Sequence, residues 1–261
     1  MKIYTFFLIL FYSFIFFSNH FAQTAEELIK EGDKYNKEFN HQKSLEAYQQ
    51  ADKLLPGDWK IMWRISRAIV DIANKMPDAT DEQSDAKFEK YKESFIYADS
   101  AVKLAPDESV TYLRRAIVNG RMALFEGVFS AIGTVNDVKD DSERAIELDN
   151  GGNYVQALSH YVLGRAHAKV CEKAYLLRLP LGLGWGDMEI AIREFQNAIK
   201  LKPNYRMFYL GLAKAYIEED EYELAKENLL MVEKAPVNLE DDEEYLKEAK
   251  QLLVEVNEEL E

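Results

Sequence analysis

The chain has 261 residues, 48% of them hydrophobic, with 32 Lys and Arg against 46 Asp and Glu and a formal net charge of −14. An acidic balance of that size excludes nonspecific nucleic-acid binding, which needs a basic footprint for the phosphate backbone. Cys171 is the single cysteine, so no internal disulfide framework exists and stability must come from packing.

The N-terminus reads as a targeting segment. Lys2 is the only charge before Glu26, and Ile3 to Phe17 is an apolar and aromatic run of 15 residues. A membrane span needs about 20 residues, so the run suits a secretory signal over residues 1–22, cleaved near Ala22 or Gln23. The competing reading is an uncleaved N-terminal anchor. The signal predicts an exported protein, periplasmic or envelope-associated in a bacterium, with no membrane span left after cleavage.

Beyond Thr24 one phrase returns five times: ADKLLP (Ala51–Pro56), AVKLAP (Ala101–Pro106), AIELDN (Ala145–Asn150), AIKLKP (Ala198–Pro203) and, more loosely, MVEKAP (Met231–Pro236). Ala and Leu three residues apart share one helix face, and Pro ends the helix. In the first unit, Leu28, Gly32 and Tyr35 line a helix from about Ala25 to Glu38. A break at Phe39-Asn40-His41 follows, then a second helix marked by Ser44, Tyr48 and Ala51. Small residues there let two antiparallel helices approach, with tyrosines filling the space beside them. This resembles a tetratricopeptide repeat.

Later units keep the closing phrase and stretch what precedes it. The closing residues are 50, 44, 53 and 33 apart, against about 34 in a plain repeat. The second unit opens on KIMWRISRAIVDIANKM, crosses a polar turn from Pro77 to Asp85 and closes on SFIYADSAVKLAP. The third runs from TYLRRAIVNGRMALFEG to DSERAIELDN. The fourth opens on QALSHYVLGRAHAKVCEKAYLL, with Gly164 at the small position, and closes on EIAIREFQNAIKLKP. In the fifth, Tyr209, Ala213, Tyr216, Ala225 and Leu229 hold the pattern, and a helix from Asp241 to about Val256 would cap the open end. The predicted fold is all-α: one tetratricopeptide-like solenoid over residues 24–256, of about five helical hairpins with a C-terminal capping helix, followed by an acidic tail at 257–261.

Several stretches resemble the family of regulators of microtubule dynamics and its bacterial relatives. They are WRISRA, AIELD, LGRAH, the Leu-Pro-Gly insert before EIAIREFQNAIKLKPNY, and LAKAYIEEDEYELAKENL. The resemblance covers roughly Glu27 to Leu253 and implies the stretched-repeat fold. Eukaryotic members are associated with microtubules and organelle contacts, so it also implies an alternative role as a membrane-anchored, microtubule-regulator-like protein.

Arginines on the first helices are the leading functional candidates. Arg64 and Arg67, Arg114 and Arg121, and Arg165 and Lys169 each share a helix face. Aligned on the small position, Arg67, Arg165 and Lys214 are equivalent. They predict a basic inner groove, with Trp63, Tyr112 and Tyr161 beside it. Its expected partner is an unidentified protein or acidic peptide, a C-terminal carboxylate, or an acidic segment of the same chain. The plainer reading pairs these cations with Asp71, Glu126 or Glu172 inside the fold.

Other constellations carry less. His160, His167 and Cys171 lie on one helix, too few for a complete metal site, and no cofactor is expected. LPLGLGWGD (Leu179–Asp187) lacks both the dinucleotide fingerprint and the phosphate-loop Lys-Ser/Thr. It reads as an apolar plug between helices or, with Leu181, Leu183 and Trp185 exposed, as a contact tip for a partner, small ligand or lipid. No nucleophile-base motif is present, so a noncatalytic scaffold is expected. Glu218 to Glu261 holds 17 acidic residues against four lysines. That density reads as a solvated face, or as a docking surface for a basic partner or divalent ions.

Overall fold

The computed structural model describes residues 24–126 and 131–261. Residues 1–22 and the expected cleavage site lie outside the described residues. Every regular element described is helical. The chain falls into two compact units, one ending at Pro106 and one running from Asp107 to Glu261.

The first unit holds two helical hairpins: α1 (24–37) with α2 (His41–Leu54), and α3 (Trp59–Asn74) with α4 (Asp81–Leu104). The small positions do the predicted work. Ser44 Oγ donates to the Gly32 carbonyl at 2.9 Å, and a Cβ on Gly32 would lie 2.4 Å from the Tyr48 ring. In the next hairpin Ser94 Oγ reaches the Ser66 carbonyl at 2.9 Å. Ala51 and Ala101 of the repeated phrase are fully buried. The predicted polar turn shortens, because Thr80 caps Gln83 and starts α4 at Asp81.

The second unit holds α5 (Ser109–Met122) with α6 (Ala131–Leu148), α7 (Gly152–Cys171) with α9 (Met188–Leu201), and α10 (Arg206–Glu218) with α11 (Tyr222–Lys234). Between α7 and α9 the chain makes one turn, α8 (Tyr175–Arg178), and a short 3-10 turn, Leu179–Leu181. A last helix, α12 (Asp242–Glu259), follows α11. It runs past the expected end near Val256 and takes in most of the expected tail, since Val256 and Leu260 prolong its apolar face and no breaker intervenes. Ala145 and Ala198 are fully buried, as their counterparts are in the first unit.

Two hairpin turns close alike. Phe39 and Asp220 adopt φ of 57° and 59°, and the next amides, Asn40 N and Glu221 N, each reach back five residues at 2.9 Å to Tyr35 O and Tyr216 O. Such a left-handed closure satisfies the last carbonyls of a helix. Neither position is glycine, which left both turns without their usual sequence mark.

Candidate functional site

In the first unit, Arg64 and Arg67 converge on one carboxylate. Arg64 Nε lies 3.1 Å and Nη2 3.1 Å from the Asp33 oxygens, and Arg67 Nη2 lies 3.1 Å from Asp33 Oδ1. The Tyr48 hydroxyl donates to Asp33 at 2.6 Å and accepts from Arg67 at 2.7 Å. Arg64 also stacks over Trp63 at 4.2 Å. Burial works against the Asp33 charge, yet Arg64, Tyr48 and Arg67 together hold its carboxyl below the usual range. Asp33 is thus an internal partner of both arginines, one the sequence did not single out, while Asp71 meets Asn36 at 3.2 Å and His41 at 3.7 Å. This hub ties α1, α2 and α3 together.

In the second unit the predicted cations separate by environment. Arg114 is buried and does not line an open surface. Its neighbour Arg115, which sequence reasoning passed over, grips the buried Asp141 of α6 with Nε and Nη2 both at 2.8 Å. Lys169 is exposed and pairs with Glu172 at 2.7 Å, as the plainer reading expected.

Lys214 meets α12 directly, and the charges of Arg121 and Arg165 are felt at Tyr245 of the same helix. Lys214 pairs with Glu248. Arg165 keeps an exposed side chain. Its guanidinium stands 5.8 Å over the Tyr161 ring. Tyr161, Tyr245 and Glu248 all favour its charge against the cost of burial. Tyr245 lies half-buried against the cluster containing Leu113, Phe208 and Tyr161. Burial, then Tyr161 and Asp241, push its phenol far up, opposed by Arg121 and Arg165. Tyr161 itself packs on the buried rings of Phe208 at 5.2 Å and Phe195 at 5.8 Å, so the aromatic floor is the half-buried Tyr161 with Tyr245, and Arg165 is the cation beside it.

The start of α12 is fixed by a residue without a motif. Arg206, 6% exposed, donates from Nε to Ala235 O at 3.0 Å and from Nη1 to Asp242 O at 3.1 Å. The buried Asp242 carboxylate accepts from Asn238 N at 2.5 Å and Leu239 N at 2.7 Å.

The glycine-rich loop places its residues differently from the contact-tip reading. Leu181, Leu183 and Trp185 are half-buried. Trp185 Nε1 donates to Asn136 at 2.7 Å, and its ring meets His167 edge-on at 5.0 Å. The exposed apolar residues lie just before, at Tyr175 (54%), Leu176 (80%), Leu177 (65%) and Leu179 (47%). Buried Arg178 anchors that turn by donating to Gly186 O at 2.8 Å. His160 meets Glu194 at 2.6 Å, apart from any metal-like cluster. No group of three or more metal-ligating side chains occurs among the described residues.

Residues 22–257 match the family described as regulator of microtubule dynamics protein 1-3. The chain belongs to that family. Among curated members, regulator of microtubule dynamics protein 1 of Bos taurus is 28% identical over 205 residues, covering 75% of this chain and 61% of that protein. The Mus musculus protein 1 is 25% identical over 240 residues, covering 90% and 75%. Protein 3 of Rattus norvegicus is 26% identical over 244 residues, covering 89% and 48%. The chain thus spans between about half and three quarters of these relatives. Among solved structures, TTC0263, a thermophilic TPR protein of Thermus thermophilus, superposes with a TM-score of 0.65 at 13% identity, covering 88% of this chain and 99% of that one. Pseudomonas aeruginosa pilF superposes at 0.52 with 11% identity, covering 92% of each. Both likenesses concern fold: this family member is built of tetratricopeptide-like helical repeats.

Proposed function

We propose that this regulator of microtubule dynamics family member is a noncatalytic protein-interaction scaffold. Its second unit binds a protein segment on the aromatic floor ringed by Arg121, Arg165 and Lys214. The observation that carries this reading is Arg165, a cation open to solvent and standing over the Tyr161 ring. Arg67 is the poorer probe, because its charge sits in the Asp33 hub. The test is site-directed photocrosslinking in intact cells, with wild type compared to Arg165→Glu combined with Lys214→Glu. Loss of one discrete adduct with native helicity retained supports the reading; an unchanged adduct pattern refutes it.

We also propose that residues 1–22 are an export signal, which mass spectrometry of the mature N-terminus tests directly. An intact Met1 would instead favour an uncleaved N-terminal anchor on a microtubule-regulator-like protein. The exposed turn Tyr175–Leu179 supports a second reading, contact with a lipid surface or small apolar ligand. Leu176→Ser with Leu177→Ser should then reduce cosedimentation with phospholipid vesicles; unchanged cosedimentation removes this reading.

A further inference from the structure

We infer that the partner of the second unit is an acidic helix with a central tyrosine, and that α12 occupies its place in the chain as isolated. This rests on the scaffold reading above and names the chemistry of what the floor accepts. α12 supplies the pattern. Its first turn carries Asp242, Glu243 and Glu244, Tyr245 lies on the aromatic cluster, and Glu248 meets Lys214. Tyr245, Glu248 and Leu252 recur at helical spacing and so share one face. Tyr245 packs on the cluster that holds Tyr161, over which Arg165 of α7 stands, and the charges of Arg165 and Arg121 are felt at its phenol.

The helix is fixed at one end and held along the rest mainly by half-buried side chains. Arg206 and Asp242 secure the residues around Asp242. Beyond them Ala249 and Val256 are buried and Tyr245, Leu252, Leu253 and Leu260 are partly buried against the core, whereas α10 buries nine residues outright. An element held mainly by half-buried side chains opens at lower free energy than one buried as α10 is. Because the Arg206 junction keeps it tethered, α12 competes at the high effective concentration of an intramolecular ligand. An incoming helix must therefore match its charge pattern and displace it.

The probe is a fluorescein-labelled peptide of residues 238–256, titrated by anisotropy into the full chain. Weak binding is expected to wild type, and binding at least about tenfold tighter to Tyr245→Ala combined with Glu248→Lys, where the tethered competitor is weakened. Adding Arg165→Glu should abolish it. Hydrogen exchange reports α12 separately. In wild type, excess peptide should accelerate exchange in residues 242–259 and leave α5 to α11 unchanged. Equal affinity for wild type and the double variant, with Arg165 still required, overturns self-occupancy and leaves the binding floor standing. No binding to a double variant whose α12 exchanges freely overturns the floor as well. Exchange in α12 no faster in the double variant, or in wild type with excess peptide, makes it a fixed cap and overturns the inference.

Discussion

Replacing Gly32 by Ala tests the hairpin packing at its tightest point. On helix propensity alone the change stabilises by about 1 kcal/mol. The structure reverses the sign. The new Cβ would sit 2.4, 2.7 and 2.9 Å from three atoms of the Tyr48 ring, where carbon contacts are normally about 3.5–4.0 Å. The ring would have to retreat by about 1 Å. Tyr48 is fully buried, and its hydroxyl is tied to Asp33 at 2.6 Å and Arg67 at 2.7 Å. Overpacking costs about 1–3 kcal/mol, and disturbing hydrogen bonds to charged groups adds about 1–3 kcal/mol. After the propensity gain, the net loss is about 1–5 kcal/mol. Urea unfolding, with hydrogen exchange of the α1 and α2 amides, measures it. In a Tyr48→Leu background the clash is gone, and Gly32→Ala should recover its gain of about 1 kcal/mol. A neutral or stabilising Gly32→Ala in the wild-type background would refute the reasoning.

Further outcomes follow from the polar hubs. Arg206→Met leaves two buried carbonyls without their donor and should cost about 2–4 kcal/mol. The loss should appear as faster exchange around residues 235–245; an effect spread evenly over both units would contradict a local junction. Asp33 and Glu194 are both held below their ordinary values of 3.8 and 4.5. Burial opposes ionisation at each, but Arg64, Tyr48 and Arg67 outweigh it at Asp33, and His160 and Arg193 outweigh it at Glu194. Depressed carboxyl groups contribute stability that is complete above their unfolded values and drains away as pH falls through the folded ones. Stability should therefore fall on acidification below about pH 4.5. Glu194→Gln should flatten part of that fall, and a chevron or urea series from pH 6 to pH 3 with the same slope in both proteins would disprove the assignment. Arg115→Met strands the buried Asp141 carboxylate and should destabilise the α5–α6 hairpin by about 3 kcal/mol, with Arg115→Met/Asp141→Leu recovering much of it.

The repeated phrase was legible because packing at a helix end depends on residue size, which a sequence displays directly. Ala51, Ala101, Ala145 and Ala198 are all fully buried, and Gly32 with Ser44 brings two backbones together as their sizes require. The insert before α9 was legible as an insert but not in its orientation. Leu181 and Trp185 look no less exposed in sequence than Leu176 and Leu177. Trp185 turns inward because Asn136 lies within hydrogen-bond reach, 49 residues away in the chain.

Charges divide along the same line. Periodicity alone puts Arg64 and Arg67, or Arg165 and Lys169, on one helix face, because that geometry is local. Which carboxylate each meets depends on helices brought together by folding. Asp33 answers Arg64 and Arg67 from 31 and 34 residues away, while Glu248 answers Lys214 across the α10–α12 contact. Residue size and spacing determined the helical repeat and the places where cations gather. Only the tertiary structure decided which of those cations are consumed by the fold, since long-range charge pairing is set by where distant helices come to rest.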